Sequence, residues 1–178
     1  MKTRIRIECF AYDIKCVTYG RLPIFRQPSF IIPIVDSLNY YRYQHRCKLV
    51  GFVIMLNHIH LILWRQGETK ISEFMRDFKR FTSGRISRQA FLEEQNDWVR
   101  AFEQAGQDTS RAESKVWQDG FWEEIIFTDE ILLQKLDYIH MNPVRAGVVD
   151  EPQNYPYSSY RNYELDDDSW VEIDKDWA

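Results

Sequence analysis

Two histidines one residue apart, His58 and His60, lie within an apolar run between Gly51 and Trp64. The run is rich in β-branched and aromatic residues, which indicates a buried strand. Side chains alternate along a strand, so both imidazoles point to the same face, about 7 Å apart along it. Two imidazoles placed in this way could bind one metal ion, or each could be satisfied separately by the protein. On spacing alone, both interpretations stand.

A second pair of residues with chemical potential is Tyr138 and Asn142, four positions apart in a segment with helical periodicity. Residues at this spacing share a helix face, here beside an apolar stripe formed by Leu132, Leu136 and Ile139. A tyrosine and an amide one turn apart could act together at a site. Both residue types are also common at helix ends and surfaces, so pattern alone favours a half-buried tyrosine and a helix-terminal asparagine.

The strongest basic cluster lies between residues 76 and 88, which contain five bases and one acid. Arg76, Lys79 and Arg80 fall off the stripe of Phe74, Phe78 and Phe81 in a predicted helix, and the whole cluster is a candidate for contacts with backbone phosphates. The alternative is a solvated helix face. The five bases are Arg76, Lys79, Arg80, Arg85 and Arg88.

The net charge of −4 over 178 residues at first argues against a nucleic-acid partner. However, seven acids and one base lie in residues 164–178, which leaves 22 bases and 20 acids in residues 1–163. We therefore interpret residues 1–163 as one faintly basic domain and residues 164–178 as an acidic tail. Such a tail is either solvated or covers a basic groove of the same chain.

Nothing in the sequence predicts a membrane-spanning or secreted protein. The apolar runs are interrupted before they reach the length of a membrane span, and the first residues are charged, without the apolar core of a signal peptide. The three cysteines (Cys9, Cys16 and Cys47) cannot all pair within the chain and form no CxxC motif. They indicate reduced, structural thiols, and we expect a cytoplasmic protein.

The elements that must position these residues follow from the same periodicities. Strand patterns cover residues 12–19, 48–55, 58–65 and 116–127, the last with an irregularity at Gly120. Helical patterns cover residues 29–46, a segment from Lys70, and a segment from Thr128 or Asp129 that Pro143 is expected to end. The order matches the split βαβ pattern (βαββαβ) of a ferredoxin-like antiparallel α+β sheet, with an additional C-terminal helix. Residues 92–115 are weakly patterned, which indicates an insertion or mobile excursion, in part helical.

Five segments resemble, in order and spacing, the REP-associated tyrosine transposases, an IS200-like family of the single-tyrosine HUH class of DNA nucleases. The resemblance covers residues 12 to 163, and no single segment would be specific without the others. The segments are GFVIMLNHIH (51–60), MRDFKRFT (75–82), WQDGFW (117–122), DYIHMNPVRAG (137–147) and PYSSY (156–160).

The resemblance implies a ferredoxin-like domain that cleaves and rejoins single-stranded DNA beside a short palindromic hairpin. It implies that His58 and His60 are metal ligands, that Tyr138 is the nucleophile, and that Asn142 is the third protein group near the metal. The products would be a 5′-phosphotyrosine and a free 3′-hydroxyl, with Mg²⁺ or Mn²⁺ as the metal. Arg145 is a further candidate for a DNA contact. The oligomeric state, monomer or homodimer, stays open.

The chain departs from the family pattern at Leu56, where the family usually has a proline, and at Glu123, Glu124 and Phe127, where family members often have His or Arg. With the acidic charge balance, these departures motivate a second hypothesis, a domesticated protein that binds hairpin DNA and no longer cuts it. A third hypothesis is a nuclease that uses the same histidines with water as the nucleophile.

Overall fold

The computed structural model describes residues 11–68, 70–109 and 112–176. Within these residues the strands are β1 (Ala11–Val17), β2 (Cys47–Met55), β3 (His58–Arg65) and β4 (Trp122–Ile126). The α-helices are α1 (Ile32–Gln44), α2 (Ile71–Leu92), α3 (Asn96–Thr109), α4 (Asp129–Arg145) and α5 (Tyr160–Leu165). Short 3-10 turns occur at Tyr19–Arg21, Ile24–Arg26, Pro28–Phe30 and Pro152–Asn154.

The strands form one antiparallel sheet in the order β2-β3-β1-β4. This order confirms the predicted α+β, ferredoxin-like class, in which the first and third strands lie at the centre. Lys15 of β1 pairs with His60 of β3, and Asp13 of β1 pairs with Glu124 of β4. Because directly paired residues point to the same face, these four side chains share one side of the sheet.

Helices cover both faces of the sheet, so the central strands are apolar on both sides. One face packs on α1 and α2, with Leu61 of β3 in the same cluster as Phe74 and Phe78. The other face packs on α4, with Ile62 of β3 in the same cluster as Leu136. Because side chains alternate along β3, successive residues enter the two different cores, and the histidines lie on the α4 side.

Gly51 of β2 allows α4 to lie directly against the sheet. A Cβ at this position would lie 2.6 Å from Cδ2 of Leu136 and 3.2 Å from Cδ1 of Ile139. Both partners are buried in the core beneath α4. The missing side chain therefore sets how close the helix that carries Tyr138 approaches the strands.

The fourth strand is shorter than predicted. Residues 116–127 were expected to form one strand, whereas β4 contains only Trp122–Ile126. Trp117 instead makes an isolated bridge to Thr18, and Gly120 has a φ of +66°. The left-handed conformation of Gly120 breaks the extended chain between these two segments.

The segment 92–115 is more ordered than an excursion, and α3 occupies its middle. Phe102 and Ala105 of α3 are buried, and the Phe102 ring lies 6.5 Å from that of Phe30. The helical part of the prediction is confirmed, and the segment contributes to the core on the α1–α2 side. Phe81 was predicted to belong to the apolar stripe of α2, but it is 38% exposed. The buried stripe of α2 continues through Thr82 instead.

The expectation that Pro143 ends the last predicted helix is wrong, because α4 continues to Arg145. Proline removes one N–H donor, and so close to the helix end this costs one hydrogen bond only. The helix is ended by Gly147, which has a φ of +65°. The N–H of Gly147 donates to Val144, and that of Val148 donates to Pro143, which is a Schellman motif. At its start, Thr128 accepts from the N–H of Ile131, as a predicted N-cap should.

The described part of the acidic tail packs against the sheet edge. Val171 and Ile173 are buried. The carboxylate of Asp174 accepts from the N–H of Leu49 in the edge strand β2, and the backbone N–H of Asp174 donates to the Leu49 carbonyl. Arg42 of α1, 4% exposed, is bound by Glu172 at 2.6 Å and Asp174 at 3.0 Å. Here the tail acids neutralise a buried arginine and protect an open strand edge.

Two of the three cysteines lie in the described part of the chain, and both are free and buried. Burial raises the pKa of Cys16 to about 12 and that of Cys47 to about 11, so both thiols stay protonated at neutral pH. Cys9 lies outside the described residues. Across the described ranges, none of the helices is both long and apolar enough to cross a bilayer.

Candidate active site

His58 and His60 point to the same face of β3, as the strand period predicts. Their ring centroids are 5.3 Å apart, and the two rings are almost perpendicular, with an interplanar angle of 75°. His58 is half-buried, whereas His60 is 4% exposed. The connection between β2 and β3 contains only Leu56 and Asn57, so His58 is the first residue of its strand.

The ring of His58 is held by Asn57. Nδ1 of His58 lies 2.7 Å from Oδ1 of Asn57, and Nδ2 of Asn57 donates to the carbonyl of Arg21. The second bond fixes the amide orientation, so Oδ1 accepts the Nδ1–H of His58 and Nε2 keeps its lone pair. Burial, helped by the positive charge of Lys15, lowers the pKa of His58 to about 3. The imidazole is therefore neutral and able to ligate at physiological pH.

Several buried polar atoms of β1, β3 and α4 have no hydrogen-bond partner among the described residues. They are both ring nitrogens of His60, Nδ2 of Asn142 and Oδ1 of Asp13. Unpaired buried polar groups cost free energy, and they cluster where an ion or a ligand completes the site. Their concentration here, next to a neutral imidazole, marks this part of the sheet face as the candidate site.

Tyr138 lies opposite the histidines on α4. Its ring centroid is 5.9 Å from that of His60, and the side chain is 45% exposed, so DNA could reach the phenol. The guanidinium of Arg145 lies 5.1 Å from the centre of the Tyr138 ring and donates to the Tyr138 carbonyl. The structure thus brings Tyr138 next to His60, with Asn142 one helical turn further along α4, which the helix pattern alone did not favour.

Sequence reasoning missed an ion-pair network around a buried carboxylate next to these residues. Asp13, 2% exposed, has one carboxylate oxygen 3.1 Å from Nζ of Lys135 and the other 3.7 Å from Nδ1 of His60. Lys135 also binds Glu124 at 2.8 Å and lies 5.3 Å from the centre of the Trp122 ring. The available signal was an acid near the start of the first predicted strand, where a buried charge needs a partner.

The groups on this face that could serve as metal ligands are two imidazoles and one amide. In the described ranges no group of three His, Cys, Asp or Glu side chains could hold a metal, so any ion here must use a different donor. His58, His60 and the amide oxygen of Asn142 could provide three neutral ligands. Such a set leaves coordination positions for water and phosphate oxygens, as Mg²⁺ and Mn²⁺ prefer.

The predicted basic cluster of α2 does not lie at this site. The helix packs on the sheet face opposite α4, and Arg76 and Arg80 both pair with Asp77. Lys79 donates to the carbonyls of Gln118 and Gly120. Arg85 contacts the Phe81 ring, and Arg88 lines a cavity against α3. Of the predicted DNA contacts, only Arg145 lies beside Tyr138.

His140 lies on the same helix and has a structural environment. Its Nε2 is 2.8 Å from Oγ of Ser159, and its ring faces Tyr160 and Tyr163. Burial lowers the pKa of His140 to about 4, although the nearby charge of Asp137 acts in the opposite direction. This histidine therefore connects α4 to the C-terminal segment and stays neutral at physiological pH.

The antiparallel α+β sheet, the paired histidines on a central strand and the tyrosine on a neighbouring helix have the arrangement that the sequence resemblance implied. A family model described as "Transposase IS200 like" matches residues 9–141. The chain therefore belongs to the IS200-like transposase family.

Curated relatives and a solved structure are consistent with this family. The chain is 48% identical over 48 residues to "Putative REP-associated tyrosine transposase" of Haemophilus influenzae, and 36% identical over 45 residues to "REP-associated tyrosine transposase" of Escherichia coli K12. Each match covers 27% of the relative, and 27% and 25% of this chain, respectively. A structure titled as a REP-associated tyrosine transposase bound to a REP hairpin has a TM-score of 0.66 at 16% identity. The match covers 98% of this chain and 92% of the chain in that structure, which shows a shared fold.

Proposed function

We propose that this protein is a metal-dependent DNA strand transferase that uses Tyr138 as its nucleophile on single-stranded DNA beside a hairpin. The observation that carries the proposal is the convergence of Tyr138, His58, His60 and Asn142 on one side of the sheet. Membership of the IS200-like family supports the reaction class. The structural relative named as bound to a REP hairpin supports a hairpin as the substrate.

His58, His60 and the amide oxygen of Asn142 would hold the divalent cation, Mg²⁺ or Mn²⁺. When bound, such an ion polarises the scissile phosphate and offsets the negative charge that develops during in-line attack. His58 is prepared for this role because Oδ1 of Asn57 accepts a hydrogen bond from its Nδ1–H and burial keeps the ring neutral. Neutral ligands leave the positive charge of the ion available to the phosphate.

Tyr138 acts in two steps. First, its phenolic oxygen attacks the scissile phosphorus, and the bond from phosphorus to the 3′ oxygen breaks. In this step the phenol loses its proton and the leaving 3′ oxygen gains one. The products are a free 3′-hydroxyl and a 5′-phosphate esterified to Tyr138. In the second step an incoming 3′-hydroxyl attacks the phosphotyrosine and releases the phenol. Because the ester keeps the energy of the broken phosphodiester, rejoining needs no nucleotide cofactor.

Basic residues around the site supply the contacts that hold the phosphate. Arg145 lies over the Tyr138 ring, and the charges of Lys15 and Arg21 act on His58 from the β1 side. In the proposed complex these three cations would surround the scissile phosphate. The α2 cluster, on the opposite face of the sheet, would contact DNA that extends away from the site, such as the hairpin stem.

The proposal is tested on a denaturing gel with labelled single-stranded hairpins from around the protein's own gene, in the presence of Mn²⁺. We expect the wild-type protein to form a covalent band of reduced mobility. Tyr138→Phe should abolish this band, because it removes only the attacking oxygen. Tyr40→Phe is the matched control, since Tyr40 is exposed on α1, outside the site. It should behave as the wild type.

Other results would support different functions. Cleavage that survives in Tyr138→Phe would indicate hydrolysis by water. Hairpin binding without cleavage, together with no uptake of Mn²⁺ in calorimetry, would indicate a domesticated binding protein. The net charge of −4 is the observation that favours this second candidate, because it weakens non-specific attraction to DNA.

A further inference from the structure

Asp13 is a buried carboxylate in the middle of β1, on the same sheet face as the histidines. Only 2% of its surface is exposed, and one oxygen forms an ion pair with Lys135 at 3.1 Å. The other oxygen, Oδ1, has no hydrogen-bond partner among the described residues. Burial of a carboxylate is costly unless both oxygens are used, so this position requires an explanation beyond packing.

The unpaired oxygen of Asp13 faces His60. It lies 3.7 Å from Nδ1, which also has no hydrogen-bond partner in the described part of the chain. This separation is about 0.7 Å longer than a hydrogen bond, and a small rotation of either side chain closes it. Contacts of this kind are often long in ligand-free sites and shorten when the site is complete.

The two histidines then have equivalent environments. His58 has an oxygen of Asn57 at its Nδ1, and His60 has an oxygen of Asp13 at its Nδ1. In both rings Nε2 remains the nitrogen with a free lone pair. Metal-binding histidines nearly always donate their second ring N–H to a carboxylate or carbonyl, which fixes the tautomer and the ring orientation.

We propose that Asp13 is a positioning residue for His60, whose Nδ1–H it accepts so that Nε2 is presented to a divalent cation. The inference rests on the proposed function, because it assigns a role toward the same cation. It adds a residue of β1 to a site otherwise built from β3 and α4. Loss of such a partner typically weakens metal binding about 10- to 100-fold.

The same carboxylate connects the histidine strand to the nucleophile helix. Lys135, which binds the second oxygen of Asp13, lies on α4 one turn before Tyr138. Glu124 and the ring of Trp122 hold the Lys135 ammonium from β4. The Lys135 charge offsets the desolvation of the carboxylate, and the ion pair fixes α4 relative to β1. Asp13 therefore contacts both halves of the site.

The first test is the tautomer of His60 in the metal-free protein, read from long-range ¹H–¹⁵N correlations of the imidazole. We expect the Nδ1–H form in the wild type. Asp13→Asn keeps an oxygen acceptor and should retain that form, whereas Asp13→Leu should lose it. A wild-type His60 protonated at Nε2 would overturn the proposal, and this measurement requires no variant to fold.

The second test is calorimetric titration with MnCl₂. We expect Asp13→Leu to bind Mn²⁺ about 10- to 100-fold more weakly than the wild type, and Asp13→Asn to recover most of this loss. Glu123→Gln is the matched control, because Glu123 is exposed on β4 and pairs with Ile14 on the opposite face. Unchanged Mn²⁺ affinity in Asp13→Leu, or an equal loss in Asp13→Asn, would overturn the proposal.

The two tests separate failure of this inference from failure of the proposed function. A wild-type protein that binds no Mn²⁺ would refute the metal-dependent function. The tautomer of His60 would still decide the role of Asp13, because it is measured without metal. Conversely, strong Mn²⁺ binding with no effect of Asp13→Leu would retain the function and refute the inference.

Discussion

Replacement of Gly51 by alanine tests whether close packing of α4 on the sheet sets the site geometry. The new methyl group would lie 2.6 Å from Cδ2 of Leu136, far inside van der Waals contact. Leu136 must then change rotamer, or α4 must move outward and take Tyr138 away from His60. The φ of Gly51 is not positive, so alanine adds no backbone strain.

The expected loss of stability follows from two opposing effects. Overpacking of a core typically costs about 1–3 kcal/mol. Replacement of glycine by alanine returns about 0.4–1 kcal/mol by restricting the unfolded chain. We therefore expect Gly51→Ala to lower the free energy of unfolding by about 1–2 kcal/mol, which is a fall in Tm of roughly 2–8 °C for a domain of this size.

The assay is urea unfolding in a double-mutant cycle with Leu136→Ala. Leu136→Ala alone should cost about 2–5 kcal/mol, because it leaves a cavity. In the double variant the methyl group added by Gly51→Ala enters that space, so the combined loss should be smaller than the sum of the single losses by about 1–2 kcal/mol. Additive losses, or a Gly51→Ala protein as stable as the wild type, would refute the packing argument.

Three further predictions follow from the buried charges and the surface bases. Burial lowers the pKa of His140 to about 4 from an ordinary value of 6.5, so the unfolded chain binds more protons between these values. The free energy of unfolding should be undiminished above pH 6.5 and should fall by on the order of 2–3 kcal/mol as the pH drops toward 4. Urea unfolding of His140→Gln should show a weaker dependence of this free energy on pH. A chain that ends at Tyr163 should lose thermal stability, because it uncovers the β2 edge and leaves Arg42 without its two partners; an unchanged Tm would contradict this role of the tail. Arg85→Gln should weaken hairpin binding equally for all DNA sequences. It should also reduce by about 1 the slope of the logarithm of the binding constant against the logarithm of the salt concentration. Unchanged affinity and slope would identify a solvated helix face.

The sequence predicted most of the fold because its elements have clear periods. Alternation along the apolar run placed His58 and His60 on one face, and the order of elements was sufficient for the ferredoxin-like sheet. Local exceptions were harder to foresee. Pro143 lies close enough to the end of α4 to be accommodated, and the irregularity expected at Gly120 is a left-handed residue that shortens β4.

The candidate site was only partly predictable, because its parts meet through tertiary contacts. Helical spacing showed that Tyr138 and Asn142 share a face, but not that this face lies against the histidines. The role of Asp13 depends on the position of β1 beside β3 and on Lys135 of α4, which no local pattern contains. The tail acids were also ambiguous, since their partner Arg42 lies 130 and 132 residues away in the chain.

The most direct test of the central claim is to identify the residue that becomes attached to DNA. The covalent product formed with a single-stranded hairpin and Mn²⁺ would be digested with nuclease and protease, and the peptides analysed by mass spectrometry. The proposed function predicts a 5′-phosphonucleotide on Tyr138 and on no other residue. Strand cleavage with unmodified Tyr138, or an adduct on another side chain, would contradict it.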